Sequence, residues 1–523
     1  MLGSIIHLAR NLRAGFVLAR EGALALVDPS VLPPPARLGL RLARLFERPD
    51  AGSGAARLSA ALTRLGPSYV KFGQFLATRP DIVGVQAARD LESLQDRMPP
   101  FPREDAVRTV EKALGQPLDA LFLDFSEPVA AASIAQVHKA RIRTREGETT
   151  VAVKVIRPAV RERFARDLQA MRFAARMAER FGADAQRLRP QEVVETLARS
   201  VAIEMDLRLE AAAVSELAEN VREDADFRVP RPEWGFTARD VLTTEWIDAI
   251  RLSDISSLVA AGHDRVTLAR TLIQSFLKHA IRDGYFHADM HPGNLFVDAR
   301  GRLVAVDFGI MGRLGMKERR FLAEILLGFI QRDYRRIAEV HFEAGYVPPR
   351  HSIDDFAQAL RAIGEPIHDR PADEISMAKL LTLLFEITAL FDMATRPELV
   401  MLQKTMVVVE GVGRMLDPKL DMWRTAEPVV RAWMERQLGP IGRLEEASRG
   451  VRTFAGVLAD LPDLSVRAER VLAQLERSTA HGSALRPGTV DTLARNEARR
   501  AFWQTTALWV IAASALVMLW RLG

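Results

Sequence analysis

The sequence contains no cysteine, which excludes disulfide bonds, thiolate nucleophiles and cysteine-ligated zinc sites. Lysine is scarce as well, because most of the 72 basic residues are arginine. The basic residues exceed the 67 acidic ones and give a net charge of +5, but they are scattered among Asp and Glu. No basic run interleaved with aromatic residues is present. We therefore predict no nucleic-acid partner and favour an anionic membrane surface.

Long uninterrupted apolar runs are missing from most of the chain. The N-terminal stretch MLGSIIHLARNLRAGFVLAR mixes apolar pairs with Arg. It predicts an amphipathic helix rather than a secretory signal, while an Arg-rich transit peptide stays open.

The C-terminus is the exception to this rule. Residues Phe502 to Trp520 carry no charge and would form about 28 Å of helix at roughly 1.5 Å per residue, close to the hydrocarbon thickness of a bilayer. Trp503 and Trp520 stand at its ends, and arginines precede it. We predict a single-pass anchor in the cytoplasmic (inner) membrane, with the body of the protein in the cytoplasm. A buried core helix is the alternative, since Gln504 and two Thr weaken the span.

Few stretches of the sequence have the alternating pattern that predicts a β-strand, and most have helical periodicity. VAVKVI alternates after a turn at REGE, NLFVD and RLVAVD flank Gly301, and DVLTTEWID forms a third extended stretch. A chain of 523 residues also favours two or more domains. The pattern predicts an α+β protein, mainly helical around a small antiparallel sheet.

The strand VAVKVI places a lysine in an unusual position. Val151, Val153 and Val155 share one face of the strand, and Lys154 lies on the other face between apolar neighbours. A buried amine would need an anionic partner. A side chain extending to the surface is the alternative that this strand leaves open.

Two histidines in HADMHPGN suggest a metal site. His287 and His291 are four apart, as zinc ligands on one helix face are, with Asp289 between them. However, Pro292 and Gly293 follow at once, so a helix through both histidines is disfavoured. No third group of ligands accompanies them in the sequence.

The acidic and amide residues of this region have a different pattern. Asn294 follows Asp289 by five positions, and Asp307 begins a D-F-G after the predicted hairpin. With VAVK upstream, this order matches the catalytic carboxylate and two magnesium ligands of protein kinases. It predicts Asp289 and Lys154 as catalytic residues, Asn294 and Asp307 as ligands of Mg²⁺, and ATP as the nucleotide.

Seven segments together resemble the UbiB family of atypical protein-kinase-like ATPases. They are LGPSYVKFGQFLATRPDIV, LQDRMPPFP, PVAAASIAQVHKARI, VAVKVIRP, EMDLRLEAA, HADMHPGN and DFGIMGRL, within roughly the first 420 residues. The resemblance implies an atypical bilobal protein-kinase-like fold with an N-terminal helical extension that carries the KxGQ motif. The implied order is an amphipathic helical N-terminus (1–60), the KxGQ extension (61–127), an N-lobe with an Ala-rich loop (128–250), a C-lobe (251–440), a helical linker (441–500) and a transmembrane helix (501–521).

The resemblance also implies roles for the nucleotide-binding residues. Lys154 would pair with the α- and β-phosphates and with Glu210, and the backbone from Glu245 to Ile247 would receive the adenine. The loop over the phosphates contains no glycine, so each Cβ makes it stiffer than a Gly-rich loop. By resemblance this loop suppresses kinase activity in cis, while a helix N-terminus capped by Ser133 is the alternative. Its residues are Ala130, Ala131, Ala132, Ser133, Ile134, Ala135, Gln136 and Val137.

A second departure from ordinary kinases is the KxGQ segment. Lys71 and Gln74 share a helix face, and the resemblance implies that they occupy, with Glu204 and Asp206, the space that a peptide substrate would need. In isolation, Lys71 and Gln74 would be a surface pair. Glu204 could instead pair with Arg208 on its own helix.

The implied function is ATP hydrolysis with Mg²⁺ in support of ubiquinone biosynthesis. No A-P-E follows the D-F-G, and Ala288 and His291 replace the Arg and Lys of protein kinases, so the resemblance does not extend to ordinary peptide docking. Implied partners are membrane lipid, ubiquinone precursors and quinone-biosynthesis enzymes. The alternatives are a small-molecule phosphotransferase and a nucleotide-binding pseudokinase scaffold. The oligomeric state is open, with a homodimer among the choices.

Overall fold

A computed structural model describes residues 2–26, 40–41, 45–48, 54–77, 91, 98–145, 147–181, 189–368, 387, 390–393 and 397–438. The predicted linker and transmembrane helix, 441–500 and 501–521, lie outside these residues. Across the described part of the chain, no helix combines the length and apolarity needed to cross a bilayer. The chain separates into two compact units, Met1–Gln437 and Leu438–Gly523, and the sheets and the candidate site belong to the first.

Helices dominate the N-terminal part. Their bounds are α1 (Leu2–Arg20), α2 (Gly54–Leu65), α3 (Pro67–Ala77), α4 (Arg103–Leu114) and α5 (Leu118–Leu121). Gly66 joins α2 to α3 with φ +107°, a conformation that favours glycine. The predicted N-terminal amphipathic helix is therefore α1.

An antiparallel sheet follows these helices. It contains β1 (Asp124–Ala131), β2 (Ala135–Thr144), β3 (Gly147–Ile156) and β5 (Val241–Glu245), in the order β1-β2-β3-β5. The valines of VAVKVI are fully buried in a core that includes Ala106 and Val110 of α4. Val137 pairs with Lys154 across β2 and β3, so these two side chains share one face of the sheet. That face is opposite to the one on which the buried valines lie.

The described residues between β3 and β5 include three helices longer than ten residues. They are α6 (Val160–Phe181), α7 (Pro190–Glu204) and α8 (Leu207–Asn220). Asp206 is the N-cap of α8, where its side chain accepts a hydrogen bond from the Arg208 backbone N–H at 3.2 Å. Helix α1 packs against α6, and Asn11 donates from Nδ2 to the Ala170 carbonyl at 3.0 Å.

The C-terminal part of the described chain has two small sheets among helices. The elements are β4 (Phe227–Arg228), β6 (Ala249–Arg251), α9 (Ile255–Ala260), α10 (Arg265–Leu277), β7 (Tyr285–His287), β8 (Leu295–Asp298), β9 (Leu303–Ala305), β10 (Met311–Arg313), α11 (Met316–Gln331), α12 (Tyr334–Glu343), α13 (Ile353–His368), α14 (Pro397–Leu416) and α15 (Met422–Leu438). One sheet has the order β4-β9-β8-β6, and the other pairs β10 with β7. Gly301, with φ +79°, closes the predicted hairpin between β8 and β9.

The mixed α+β character predicted from the sequence is confirmed. The prediction of one small antiparallel sheet is wrong, because the described residues form three sheets and β4 pairs with β9 in parallel.

Candidate active site

Lys154 joins two acidic residues that are far away in the sequence. Its Nζ donates to Glu210 Oε1 at 2.8 Å and Oε2 at 3.0 Å, and to Asp307 Oδ1 at 2.8 Å. Glu210 belongs to the first turn of α8, and Asp307 begins the D-F-G after β9. The strand, the helix and the D-F-G loop therefore meet at one amine.

Charge and burial set the protonation of this cluster. Burial alone would lower the pKa of Lys154, but Asp307 and Glu210 hold it above its ordinary value. The Lys154 charge holds the pKa of Asp307 well below its usual range. The pKa of Glu210 is raised instead, because its side chain is only 7% exposed whereas that of Asp307 is 48% exposed. The amine is thus charged and Asp307 ionised at neutral pH.

Asp289 and Asn294 lie together in the loop after β7. Asn294 donates from Nδ2 to the Asp289 carbonyl at 3.1 Å and to Asp289 Oδ2 at 3.3 Å. The backbone N–H of Val306, next to Asp307, donates to the Asn294 carbonyl at 2.9 Å. Since Nδ2 faces Asp289, the amide oxygen of Asn294 points elsewhere. An amide oxygen and the half-exposed Asp307 carboxylate are ligand types that Mg²⁺ accepts, so the donor set fits this ion.

The two histidines do not form a shared metal site. His287 is fully buried; its Nδ1 accepts from the Asp289 N–H at 3.0 Å, and its Nε2 lies 3.2 Å from the Val306 carbonyl. Burial lowers the pKa of His287, so the ring is neutral, with Nε2 as donor. His291 accepts from the Gly293 N–H at 2.9 Å, and no helix passes through these residues. Both ring nitrogens of His287 hold the loop in place.

The Ala-rich segment is the hairpin between β1 and β2. A helix N-terminus capped by Ser133, the alternative above, is wrong, because β1 ends at Ala131 and β2 begins at Ala135. Ala130 is exposed, Ala131, Ala132 and Val137 are half-buried, and Ser133 to Gln136 are buried. The accessible residues of this segment are therefore Ala130, Ala131, Ala132 and Val137, and Val137 shares its face of the sheet with Lys154.

Gln136 is directed away from the Lys154 face. Its Oε1 accepts from the Phe101 N–H at 2.9 Å, and its Nε2 donates to the Phe101 carbonyl at 3.2 Å. Nearby, Arg157 donates from Nη2 to the carbonyls of Pro99 at 2.6 Å and Ala132 at 3.0 Å. These hydrogen bonds hold the segment before α4 against the hairpin. Both the oxygen and the nitrogen of the Gln136 side-chain amide take part in this contact.

The predicted hinge follows β5. The Glu245 side chain accepts from Arg228 Nη2 at 3.0 Å, and its backbone N–H donates to the Arg231 carbonyl at 2.8 Å. The Trp246 N–H donates to the Thr150 carbonyl at 3.1 Å. Ile247 is half-buried and, within the described part of the chain, its backbone makes no hydrogen bond. Of the two residues predicted to contact adenine, Glu245 therefore has its backbone N–H occupied, whereas Ile247, among the described residues, does not.

The KxGQ helix reaches the same site from α3. Lys71 is 8% exposed and forms a salt bridge with Glu204, the last residue of α7. The Lys71 charge also lowers the pKa of Asp307, and a Cβ added at Gly309 would lie 4.0 Å from Glu204 Cγ. Gln74 is half-buried on the same helix. The Lys71–Glu204 salt bridge thus lies beside the D-F-G loop.

The alternative pairing of Glu204 with Arg208 is wrong. Arg208 instead donates from Nη2 to Asp206 at 2.7 Å. Glu204 therefore pairs with Lys71 of the KxGQ helix, whereas Asp206 pairs with Arg208 of its own helix. Helix α7 ends at Glu204 and α8 begins at Leu207, so no continuous helix carries Glu204 and Arg208.

A double-mutant cycle should measure the Lys71–Glu204 bridge. We expect a coupling free energy of about 2 kcal/mol between Lys71→Met and Glu204→Gln in urea unfolding, because both side chains are largely buried. Lys71→Met alone should cost more than Glu204→Gln alone, since it leaves Glu204 without its cation near Glu210, whose pKa the Glu204 charge helps to raise after burial. Additive effects of the two substitutions would contradict the bridge.

This chain is similar to known protein families and to individual known proteins. Residues 93–341 match the ABC1 atypical kinase-like domain, and residues 360–421 match the UbiB helical domain. A solved Mycobacterium tuberculosis protein in complex with erythromycin is 24% identical, with a TM-score of 0.46, covering 76% of this chain and 98% of its own. The "Probable protein kinase UbiB" of Marinobacter nauticus is 39% identical over 465 residues, 88% of this chain and 84% of its own length. The chain belongs to the UbiB family of atypical kinase-like proteins.

Membership of the UbiB family confirms the kinase-like character that the sequence motifs predicted. The match to the ABC1 domain contains the Lys154 cluster and the Asp289 loop. It also contains Gln136 and the hairpin, whereas Lys71 lies before it.

The UbiB helical domain contributes a residue that sequence reasoning missed. Thr405 of α14 is 1% exposed, and its hydroxyl lies 3.0 Å from the Ala288 carbonyl and 2.8 Å from the Met401 carbonyl. It therefore holds the backbone just before Asp289. A threonine within a long helical pattern gives no signal of a contact 117 positions away.

Proposed function

We propose that this UbiB-family protein is a membrane-associated ATPase that binds ATP with Mg²⁺ and supports ubiquinone biosynthesis. The main support is the Lys154 cluster, in which one charged amine of strand β3 is held by Glu210 of helix α8 and by Asp307 of the D-F-G loop. In kinases a strand lysine that engages the nucleotide phosphates pairs with a glutamate of a helix, and the Lys154–Glu210 pair has this arrangement. Family membership supports the quinone connection.

Each residue would have a limited task in hydrolysis. Lys154 would neutralise phosphate charge, and Glu210 would orient the amine. Asn294 and Asp307 would hold Mg²⁺, which supplies charge neutralisation at the transferred phosphoryl group. Asp289, whose side chain is 39% exposed, would orient the attacking water.

The surroundings of the site favour hydrolysis over peptide phosphorylation. The Lys71–Glu204 bridge lies beside the D-F-G loop, where the Lys71 charge acts on Asp307. A peptide bound at this loop would have to displace the bridge. Water and a small phosphate product need far less room.

Phosphate release by the full-length protein tests this function. ATP and Mg²⁺ would be supplied with and without anionic vesicles and a phenolic mimic of a quinone precursor, and the mass of every acceptor would be followed. Free phosphate with no labelled acceptor is the expected result. A phosphorylated phenol would support a small-molecule phosphotransferase instead. Retained nucleotide binding without release would support a pseudokinase scaffold of quinone-biosynthesis enzymes and refute the ATPase.

The membrane proposal has its own test. We expect deletion of Phe502 to Gly523 to move the protein from the membrane fraction to the supernatant, because this stretch has the length and apolarity of a bilayer span. Deletion of residues 441–462, of equal length and within the predicted linker, is the control. A deleted protein that still sediments with membranes would contradict a single C-terminal anchor.

A further inference from the structure

A cavity of about 400 Å³ lies between α1, the α2–α3 junction and α6, all within the first unit. Four arginines line it: Arg10 and Arg13 come from α1, and Arg163 and Arg166 from α6. Asp167 is the one acidic residue among the described residues that line the cavity. None of these side chains belongs to the candidate active site.

The helix geometry brings the four guanidinium groups together. Each helix presents two arginines three positions apart, which places them on one face. Arg10 donates from Nη1 to the Arg166 carbonyl at 3.2 Å, and Arg163 donates from Nη2 to the Leu65 carbonyl at 3.0 Å. A guanidinium has five N–H donors, so each of these two groups keeps further donors for a ligand.

Gly66 makes room for one of these arginines. A Cβ at this position would overlap Arg163 Nη2. The bare backbone at the α2–α3 junction therefore lets the guanidinium pack directly against it. The hydrogen bond to the Leu65 carbonyl holds Arg163 at the edge of the cavity.

The charge of the cavity is strongly unbalanced. Among the described residues that line it, four guanidinium groups stand against one carboxylate, Asp167, whose Oδ2 lies 4.0 Å from Arg163 Nε. Guanidinium groups that line one cavity repel one another, and a bound anion would offset that repulsion. Tyr69 also lines the cavity, and burial raises the pKa of its hydroxyl, which therefore remains a hydrogen-bond donor.

Guanidinium groups bind phosphate with paired hydrogen bonds. We propose that this cavity is a binding site for a phosphate-bearing anion, separate from the nucleotide site. Its volume falls in the range of small-molecule sites and exceeds what one inorganic phosphate needs. An organic phosphate therefore fits best, and its source is either a free phosphate ester or a phospholipid headgroup.

Binding by full-length variants tests the proposal. Glycerol phosphate and inorganic phosphate would be titrated by calorimetry. Flotation with vesicles of phosphatidylcholine, alone or mixed equally with phosphatidylglycerol, would give the increment due to anionic lipid. The variant is Arg13→Gln with Arg166→Gln, both exposed. The control is Arg176→Gln, an exposed arginine of α6 that does not line the cavity.

We expect the double variant to lose at least about tenfold in affinity relative to the control, because hydrogen bonds to charged groups are removed. Loss of the lipid increment alone identifies a headgroup, and loss of glycerol phosphate binding alone identifies a free ester. Equal binding by the double variant and the control, or no binding by the unmodified protein, overturns the proposal. Arg13→Gln alone is the second variant if the double variant has a lower melting temperature than the control.

Discussion

Lys154→Met should abolish ATP turnover and lower the free energy of unfolding by about 3 kcal/mol near neutral pH. The methionine cannot neutralise phosphate, which removes turnover. It also leaves Glu210 and Asp307 close together without their shared cation. The expected loss is at the low end for a broken buried ion pair, because the Asp307 side chain is 48% exposed.

The stability loss should shrink as the pH falls. In the unmodified protein Asp307 has a lowered pKa, so its contribution is present above the ordinary value of 3.8 and is lost as the pH falls through and below it. In Lys154→Met the pKa values of Glu210 and Asp307 would both be raised, because neither carboxylate has the lysine as a partner. The free energy of unfolding of the variant therefore falls as the pH rises through those pKa values. Urea unfolding at about pH 7 and about pH 5 measures this trend.

Lys112→Met is the matched control for Lys154→Met. Lys112 is exposed in the last turn of α4 and is not one of the charged groups that act on Lys154, Glu210 or Asp307. Its replacement should change the free energy of unfolding by less than about 0.5 kcal/mol. A Lys154→Met protein that hydrolyses ATP normally, or whose stability deficit is constant with pH, would contradict the cluster.

Local sequence patterns predicted the local structure around the site well. The alternation in VAVKVI matches β3, with its valines fully buried, and Gly301 closes the β8–β9 hairpin with a positive φ. Proline and glycine after His291 predicted the absence of a helix there. In each case the determining forces act within a few residues, so a short window contains the information.

Long-range pairing is what the residues alone could not provide. The sequence of the strand leaves open whether Lys154 is paired or exposed. Its partners Glu210 and Asp307 lie 56 and 153 positions away. Lys71 and Glu204 are 133 positions apart, and each looks like an ordinary surface charge in its own helix. Such pairs depend on how helices pack, which neither periodicity nor spacing encodes. The family resemblance, rather than the pattern, pointed to Glu210 and to the Lys71 segment.

The cap alternative failed for a different reason. An alanine-rich stretch has high helix propensity, and Ser133 is a good N-cap residue. Strand pairing with β3 overrides that preference, since residues from Ala135 onward continue the sheet through ten successive partners. Tertiary context decides such segments, and the Gln136 contact with Phe101 adds to it.

Asp307→Asn should reduce Mg²⁺-dependent nucleotide binding and turnover by at least about a hundredfold. The substitution removes the carboxylate charge that would face the metal while keeping the shape of the side chain. Asp307 has φ +61°, a conformation that Asn also tolerates, so the backbone of the D-F-G loop should be unchanged. Lys154 keeps Glu210 as its partner, which limits any loss of stability.

Titration of a fluorescent ATP analogue, once with Mg²⁺ and once with a chelator, separates metal-dependent from metal-independent nucleotide binding. Asp119→Asn, an exposed residue of α5, is the control and should bind as the unmodified protein does. For Asp307→Asn we expect the metal-dependent part of the affinity to disappear while weak metal-independent binding through Lys154 remains. Metal-dependent binding of unchanged strength in Asp307→Asn would show that the ion is held elsewhere, and the assignment of Asn294 as its companion ligand would fail with it.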